Sequence, residues 1–349
     1  GMPPPLPFAE LPRPGYAGGS LVNLMASLIR ARGGRSPHRT LAGLPPAALR
    51  PYSKVVLLLL NGLGANQLHT LVTRGKGRQF FARHPWQVIT TACPATTAAV
   101  VATLATGASP AEHAILGWHL NLPDLGMVGT LLPFITRTDT PIAPADFPLA
   151  RYLGIPAPIA TMRGRRVLIS YDTIPVSRTS MAQPWWTERR SYQTLDGLQR
   201  QLRAFARSRG TAYAYAYWPH YDTVCHRHGP EGRASARHLA ELDAFLARVE
   251  TALAGTGTLL LVTADHGHMQ TSTHVDLSRI PGFYDTLATL PSGDSRMVQC
   301  HVRSSRLKDF LRLTRSAPLR DACACVPAAA VLRSGILGPG KPHPALANR

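Results

Sequence analysis

Residues Val55–Leu60 form an unbroken apolar run, Val-Val-Leu-Leu-Leu-Leu, that stops at Asn61-Gly62-Leu63-Gly64. A run this short and this uniformly apolar suits a strand that meets water on neither face. Such strands belong to parallel sheets covered by helices on both sides. Two further runs have the same shape. Thr258–Ala264 ends at Asp265-His266-Gly267, and the alternating Ala/Tyr run Ala212–Tyr217 leads into Trp218–Gly229. Amphipathic stretches lie between them: Leu239, Leu242, Leu246, Val249 and Leu253 step along one helical face, as do Leu195, Leu198, Leu202 and Phe205. A short strand is also predicted over Val88–Thr91, ahead of Pro94. The fold class that follows is α/β, a largely parallel central sheet flanked by helices, with a small cap subdomain. Residues 1–50 read as an N-terminal extension and 51–349 as the α/β domain. Within it, 118–192 and 268–349 are richer in Pro and Gly and read as cap or insert segments.

The rest of the composition narrows the function classes. No apolar run approaches the ~20 residues of a membrane span, so no membrane partner is expected. The start, Gly1-Met2-Pro3-Pro4-Pro5, has neither a basic nor an apolar leader region. Five cysteines without a CxxC pair read as reduced thiols, and the expected location is cytoplasmic. The formal charge of +19 invites a nucleic-acid reading, but all but four of the 38 cations are arginine, and they are dispersed. A polyanion binder shows a stripe or block, which argues against nucleic acid and leaves an anionic small molecule as the expected partner. Arg163, Arg165, Arg166, Arg189 and Arg190 form short clusters that can contact such a molecule or simply face solvent.

The chemistry-bearing residues follow the strands, where sites of open α/β sheets form. Asp265-His266 sets a carboxylate beside an imidazole at a strand end, and Gly267 permits a sharp turn. Asp222-x-x-x-His226 places the same two groups on one face of a helical turn. Each pair alone is as well read as a cap or a solvated pair; two such pairs, each after a strand, point to a two-metal centre. Thr96 and Thr97 open a small-residue helix after Pro94. A threonine there is ordinarily an N-cap, yet its hydroxyl also faces free N–H groups where phosphate binds.

Together these segments resemble the alkaline phosphatase superfamily, and within it the type I phosphodiesterase/nucleotide pyrophosphatase family. The resemblance spans about Val55 to Pro342. It rests on Leu-Asn61-Gly-Leu-Gly64, Pro94-x-Thr-Thr97, Ala-Thr106-Gly107, Pro110-Ala-Glu-His113-Ala-Ile115, Asp222-x-x-x-His226 and Ala-Asp265-His266-Gly267. It implies an alkaline phosphatase-like fold and chooses between the threonines: Thr97, three residues after Pro94 and nine before Thr106, is the implied nucleophile. Two divalent metal ions are implied, zinc foremost, with manganese or iron also suited to the ligands. One would be held by Asn61, Thr97, Asp265 and His266, the other by Asp222, His226 and a third histidine. The implied reaction is hydrolysis of a phosphate ester or nucleotide through a phospho-threonine.

Three positions depart from the family pattern. Asn61 stands where the family has aspartate; an amide oxygen still ligates but brings no charge, so a weakened metal site is expected. Asn61-Gly62 is also a sequence prone to deamidation, which would restore the carboxylate. The family's His-Gly-Gly segment, which follows a stretch like Leu337–Pro344, is not matched before Arg349, and His274, His301 and His343 are the candidate substitutes. Ala114 replaces a customary glycine. These departures define the alternative function, an impaired relative that binds a phosphorylated ligand without turning it over.

Overall fold

The computed structural model describes residues 7–130, 135–136, 138, 140–142, 149–172, 184–271 and 274–348. Parts of the 118–192 and 268–349 segments therefore lie outside the described residues. The strands are β1 (Lys54–Leu60), β2 (His119–Leu122), β3 (Met127–Thr130), β4 (Arg165–Tyr171), β5 (Glu188–Tyr192), β6 (Ala212–Trp218), β7 (Thr258–Thr263), β8 (Ser292–Asp294) and β9 (Met297–Gln299). The helices that matter for the site are α1 (Leu21–Ala31), α2 (Ala65–Thr73), α3 (Thr97–Thr106), α4 (Pro110–His113), α5 (Leu195–Arg207), α6 (His220–His228) and α7 (Arg233–Leu253).

Five strands make one parallel sheet in the order β5-β4-β6-β1-β7. All seven residues of β1 are buried, as its apolar run requires. Alternate side chains serve opposite faces: Val55, Leu57 and Leu59 join a core with α1 and α3, whereas Val56, Leu58 and Leu60 join one with α5 and α7. Leu242, Leu246 and Val249 of α7 are buried along the expected stripe, each worth about 1.5–3 kcal/mol of transfer free energy. The register aligns Leu60 with Trp218 and Leu59 with Thr263, so β1, β6 and β7 end level with one another.

Two sequence expectations change. β7 is half-buried along its length because it is the edge strand, not an interior one. Val88–Thr91 is not a strand: only Thr90 forms a bridge, to Ser20, and Val88 is exposed, since no neighbouring strand is there to pair with it. The segment before residue 51, read as an extension, supplies α1 with Leu21–Ile29 buried in the main core. A second, antiparallel sheet, β3-β2-β8-β9, joins residues 119–130 to 292–299 through His119 and Gly293. No helix among the described residues is long and apolar enough to cross a membrane.

Candidate active site

The level ends of β1, β6 and β7 bring Asn61, Asp222, His226, Asp265 and His266 to one edge of the sheet, facing Thr97 at the start of α3. Asn61 follows β1 directly and is buried. Its backbone N–H donates to the Trp218 carbonyl (3.0 Å) and its Nδ2 to the Tyr217 hydroxyl (2.8 Å). That leaves Oδ1 turned toward Thr97 Oγ1, 3.4 Å away. The next residue must turn: Gly62 has φ +80°, and a Cβ there would fall 2.3 Å from a ring carbon of His268. Its N–H donates to Asp265 Oδ1 at 3.0 Å. Deamidation of Asn61 needs that nitrogen as the attacking atom, so the fold works against it.

Neither threonine of α3 caps the helix. Thr96 occupies the N-cap position, but its hydroxyl donates to the Asp294 carboxylate at the end of β8. Thr97 Oγ1 lies 3.1 Å from His266 Nε2. His266 Nδ1 sits 3.0 Å from the Gly267 carbonyl, which can only accept. In the neutral ring Nδ1 therefore carries the proton and Nε2 accepts from the Thr97 hydroxyl. The N–H groups of the first turn of α3 have no side-chain cap and remain open to an anion.

The acidic residues complete the cluster. Asp265 is fully buried; Oδ1 accepts from the N–H of Gly62 and of His266, both at 3.0 Å. Burial pushes its carboxyl pKa above the usual range, against the pull of His266 and those N–H groups. Asp222 sits in the first turn of α6. Its Oδ1 is 3.0 Å from His268 Nε2, 3.3 Å from His226 Nε2 and 3.9 Å from His266 Nε2. Burial works to raise its pKa, but the three imidazoles outweigh it and hold the carboxyl below its ordinary value. For His268 burial works the other way and is likewise outweighed, by Asp222 and the Gly62 carbonyl, so its pKa rises.

Whether these residues fit a metal ion is decided by three atoms. Asp222 Oδ1, Asp265 Oδ2 and His268 Nε2 are buried and none has a hydrogen-bond partner; the close approach of Asp222 and His268 is not aligned as one. Each such atom costs about 1–3 kcal/mol unless something satisfies it. The ligand atoms of Asp222, His266 and His268 all lie within 4.8 Å of one another. Carboxylate and imidazole donors in this number suit zinc, manganese or iron, so the residues fit a divalent ion. His226 reaches Asp222, but its ring is largely exposed.

Of the candidate third histidines, His343 lies against Gly154, 3.3 Å from its carbonyl, and neither His274 nor His301 joins the cluster among the described residues. Sequence reasoning missed His268, Tyr217 and Asp294. Only His268 had a signal, standing two residues beyond His266, where it reads as a surface histidine. Arg165 and Arg166 lie on β4, Arg189 and Arg190 on β5, and Arg163 just before β4. Arg165 and Arg190 pair with Glu188 at 3.1 and 2.6 Å, and Arg166 donates to the carbonyls of Trp185 and Met162. Ala114 adopts φ +56°, the left-handed region, which accounts for the glycine customary there.

Residues 154–311 match the family model for type I phosphodiesterase / nucleotide pyrophosphatase. The matched segment includes Asp222, His226, Asp265 and His266 and leaves out Asn61 and Thr97. Solved structures of murine ectonucleotide pyrophosphatase / phosphodiesterase 5 are similar. One has a TM-score of 0.57 at 16% identity, over 74% of this chain and 69% of that one. Another, an inactive threonine-to-alanine form in complex with AMP, has a TM-score of 0.56 at 16% identity over the same shares. The human counterpart gives 0.54 at 15% identity, over 76% of this chain and 70% of that one. No curated protein matches. The resemblance to type I phosphodiesterases and nucleotide pyrophosphatases read from the motifs holds, and the five-stranded parallel sheet flanked by helices is the alkaline phosphatase-like fold.

Proposed function

We propose that the protein is a divalent-metal-dependent hydrolase of phosphate esters, of the phosphodiesterase/nucleotide pyrophosphatase type, with Thr97 as its nucleophile. The observation that carries this reading is the Thr97–His266 pair, 3.1 Å apart at an uncapped helix N-terminus beside unsatisfied buried carboxylate oxygens. Asn61, Thr97, Asp265 and His266 would hold one ion, and Asp222 with His226 the other. Bound there, divalent ions supply positive charge that favours the ionised threonine and offsets charge developing on the phosphoryl oxygens.

The protein's own groups do the rest. Asp294 engages the Thr96 hydroxyl, so of two adjacent hydroxyls only that of Thr97 is directed into the cluster. The open N–H groups of α3 hold the non-bridging phosphoryl oxygens. Thr97 Oγ1 forms a bond to phosphorus as the bond to the leaving alcohol or phosphate breaks, giving a phospho-threonine. Water then cleaves that ester and returns the hydroxyl. The AMP held by the murine relative supports a nucleotide as the substrate class.

A second reading is favoured by Asn61: a relative that binds a phosphorylated ligand without turnover. Hydrolysis of a nitrophenyl phosphodiester with added zinc or manganese separates the two. The expected result is turnover by the wild type that is lost in Thr97→Ala. Equally slow hydrolysis by both would overturn the enzymatic reading in favour of the binding one.

A further inference from the structure

We propose that His268, through Nε2, is a ligand of the divalent cation that Asp222 and His226 would hold, at a cluster that His266 also faces. The inference rests on the metal-dependent reading above in needing a cation at this cluster, but it concerns a residue that neither the motifs nor the family pattern designates.

The ring is held for this role from three sides. His268 Nδ1 lies 2.9 Å from the Gly62 carbonyl; because that oxygen can only accept, Nδ1 bears the proton and the lone pair of the neutral ring is on Nε2. A carbonyl holding one ring nitrogen while the other faces a carboxylate is how metal-ligating histidines are oriented. Gln67 Nε2 donates to the His268 backbone carbonyl at 2.8 Å, which fixes the chain. The ring packs edge-on against His226 and His266, with centroids 5.5 and 5.4 Å away. Gly62 makes room for it, since any side chain at that position would collide with the imidazole.

What Nε2 faces decides its function. Asp222 Oδ1 is 3.0 Å away as an ion-pair contact, and neither buried atom has an aligned hydrogen-bond partner. In the neutral ring a lone pair would be set against a carboxylate oxygen at that distance, a repulsion relieved either by a proton on Nε2 or by a cation between the two atoms. His266 Nε2 falls within the same 4.8 Å group, so two imidazoles separated by Gly267 and one carboxylate converge on one volume.

The test is zinc titration of the full-length, metal-stripped chain by calorimetry, with bound metal counted after dialysis. His268→Asn keeps an N–H for the Gly62 carbonyl while removing Nε2, so it separates ligation from folding; circular dichroism and the metal-free melting temperature check the fold. His268→Ala and His343→Ala complete the set. The expected result is that both His268 variants lose one equivalent of tightly bound zinc and part of the zinc-induced rise in melting temperature, while His343→Ala matches wild type. Unchanged zinc stoichiometry and affinity in His268→Asn would overturn the assignment, as would a wild type that binds no zinc, manganese or iron. If His268→Asn loses zinc but the wild type cleaves no diester, the ligand assignment stands and the hydrolase reading fails.

Discussion

The two ends of α3 carry the same pair of side chains at the same distance and put them to opposite uses. At the N-terminus Thr97 lies 3.1 Å from His266 Nε2; just before the C-terminus Thr103 lies 3.1 Å from His113 Nε2. The difference is in the other ring nitrogen. His266 Nδ1 faces a carbonyl and so carries the proton, which makes Nε2 an acceptor. His113 Nδ1 accepts the N–H of Ile115, so its proton is on Nε2 and is given to Thr103. Around His113 every polar group has an answer: Thr106 bridges the Ala102 carbonyl and the Ala108 N–H, and Glu112 accepts from Ser109 and His38. Around His266 three buried atoms have none. A satisfied network holds the fold; an unsatisfied one at the same helix is poised for a ligand.

The contrast is broken most sharply by removing the threonines. Thr97→Ala is expected to reduce diester hydrolysis by at least about 10³-fold without lowering the melting temperature. Thr103→Ala is expected to do the reverse, leaving kcat within about threefold and costing about 1 kcal/mol by removing the Thr103 hydroxyl from a His113 N–H that also meets the Ala99 carbonyl. Steady-state kinetics beside denaturant unfolding of both variants decides it. Should Thr97→Ala destabilise while turning over normally, the N-terminal pair is structural too.

Acid unfolding sharpens the comparison further. Burial pushes His113 down to about 3, below its ordinary 6.5. Its neutral form is the folded one, so its contribution is complete above about pH 6.5 and is lost as pH falls toward 3, at roughly 1.4 kcal/mol per unit. Stability measured from pH 7 to 4 should decline on that slope, and His113→Gln should flatten it. A profile that His113→Gln leaves unaltered would place the acid sensitivity elsewhere.

Asp265 gives the converse case. Its raised pKa means stability held at low pH is lost as pH rises through the folded value. Asp265→Asn should therefore stabilise the chelated protein at neutral pH by about 1–3 kcal/mol while weakening metal binding. A destabilised Asp265→Asn would show that the charge is already compensated. The smallest expected effect is at Asn61: Asn61→Asp should tighten zinc about tenfold by supplying the missing charge. Full zinc occupancy of the wild type at micromolar supply would show that the amide does not weaken the site.

How much of this was legible depends on how local the cause is. β1 could be read because burial on both faces leaves Val55–Leu60 without a polar residue, and the α7 stripe because a helix face repeats. Val88–Thr91 misled because propensity carries no information about a missing neighbour. The carboxylate–imidazole pairs Asp222/His226 and Asp265/His266 were visible as near neighbours in the chain. His268 was not, because its orientation depends on the Gly62 carbonyl at the end of a different strand. Asp294 escaped for a similar reason: it sits at the end of a three-residue strand, and its partner Thr96 belongs to a distant helix.

The strand order has a consequence in time as well as in space. β1 leaves the ribosome long before its two neighbours in the sheet, β6 and β7, are made. A nascent chain that ends before residue 268 lacks part of the cluster, and one that ends before Asp294 leaves Thr96 unheld. Closing loops of this length is slow, and β1 must wait for them with a wholly apolar surface. Capture of a divalent ion at this cluster, as proposed above, would therefore follow completion of the sheet, and the most aggregation-prone interval would precede it.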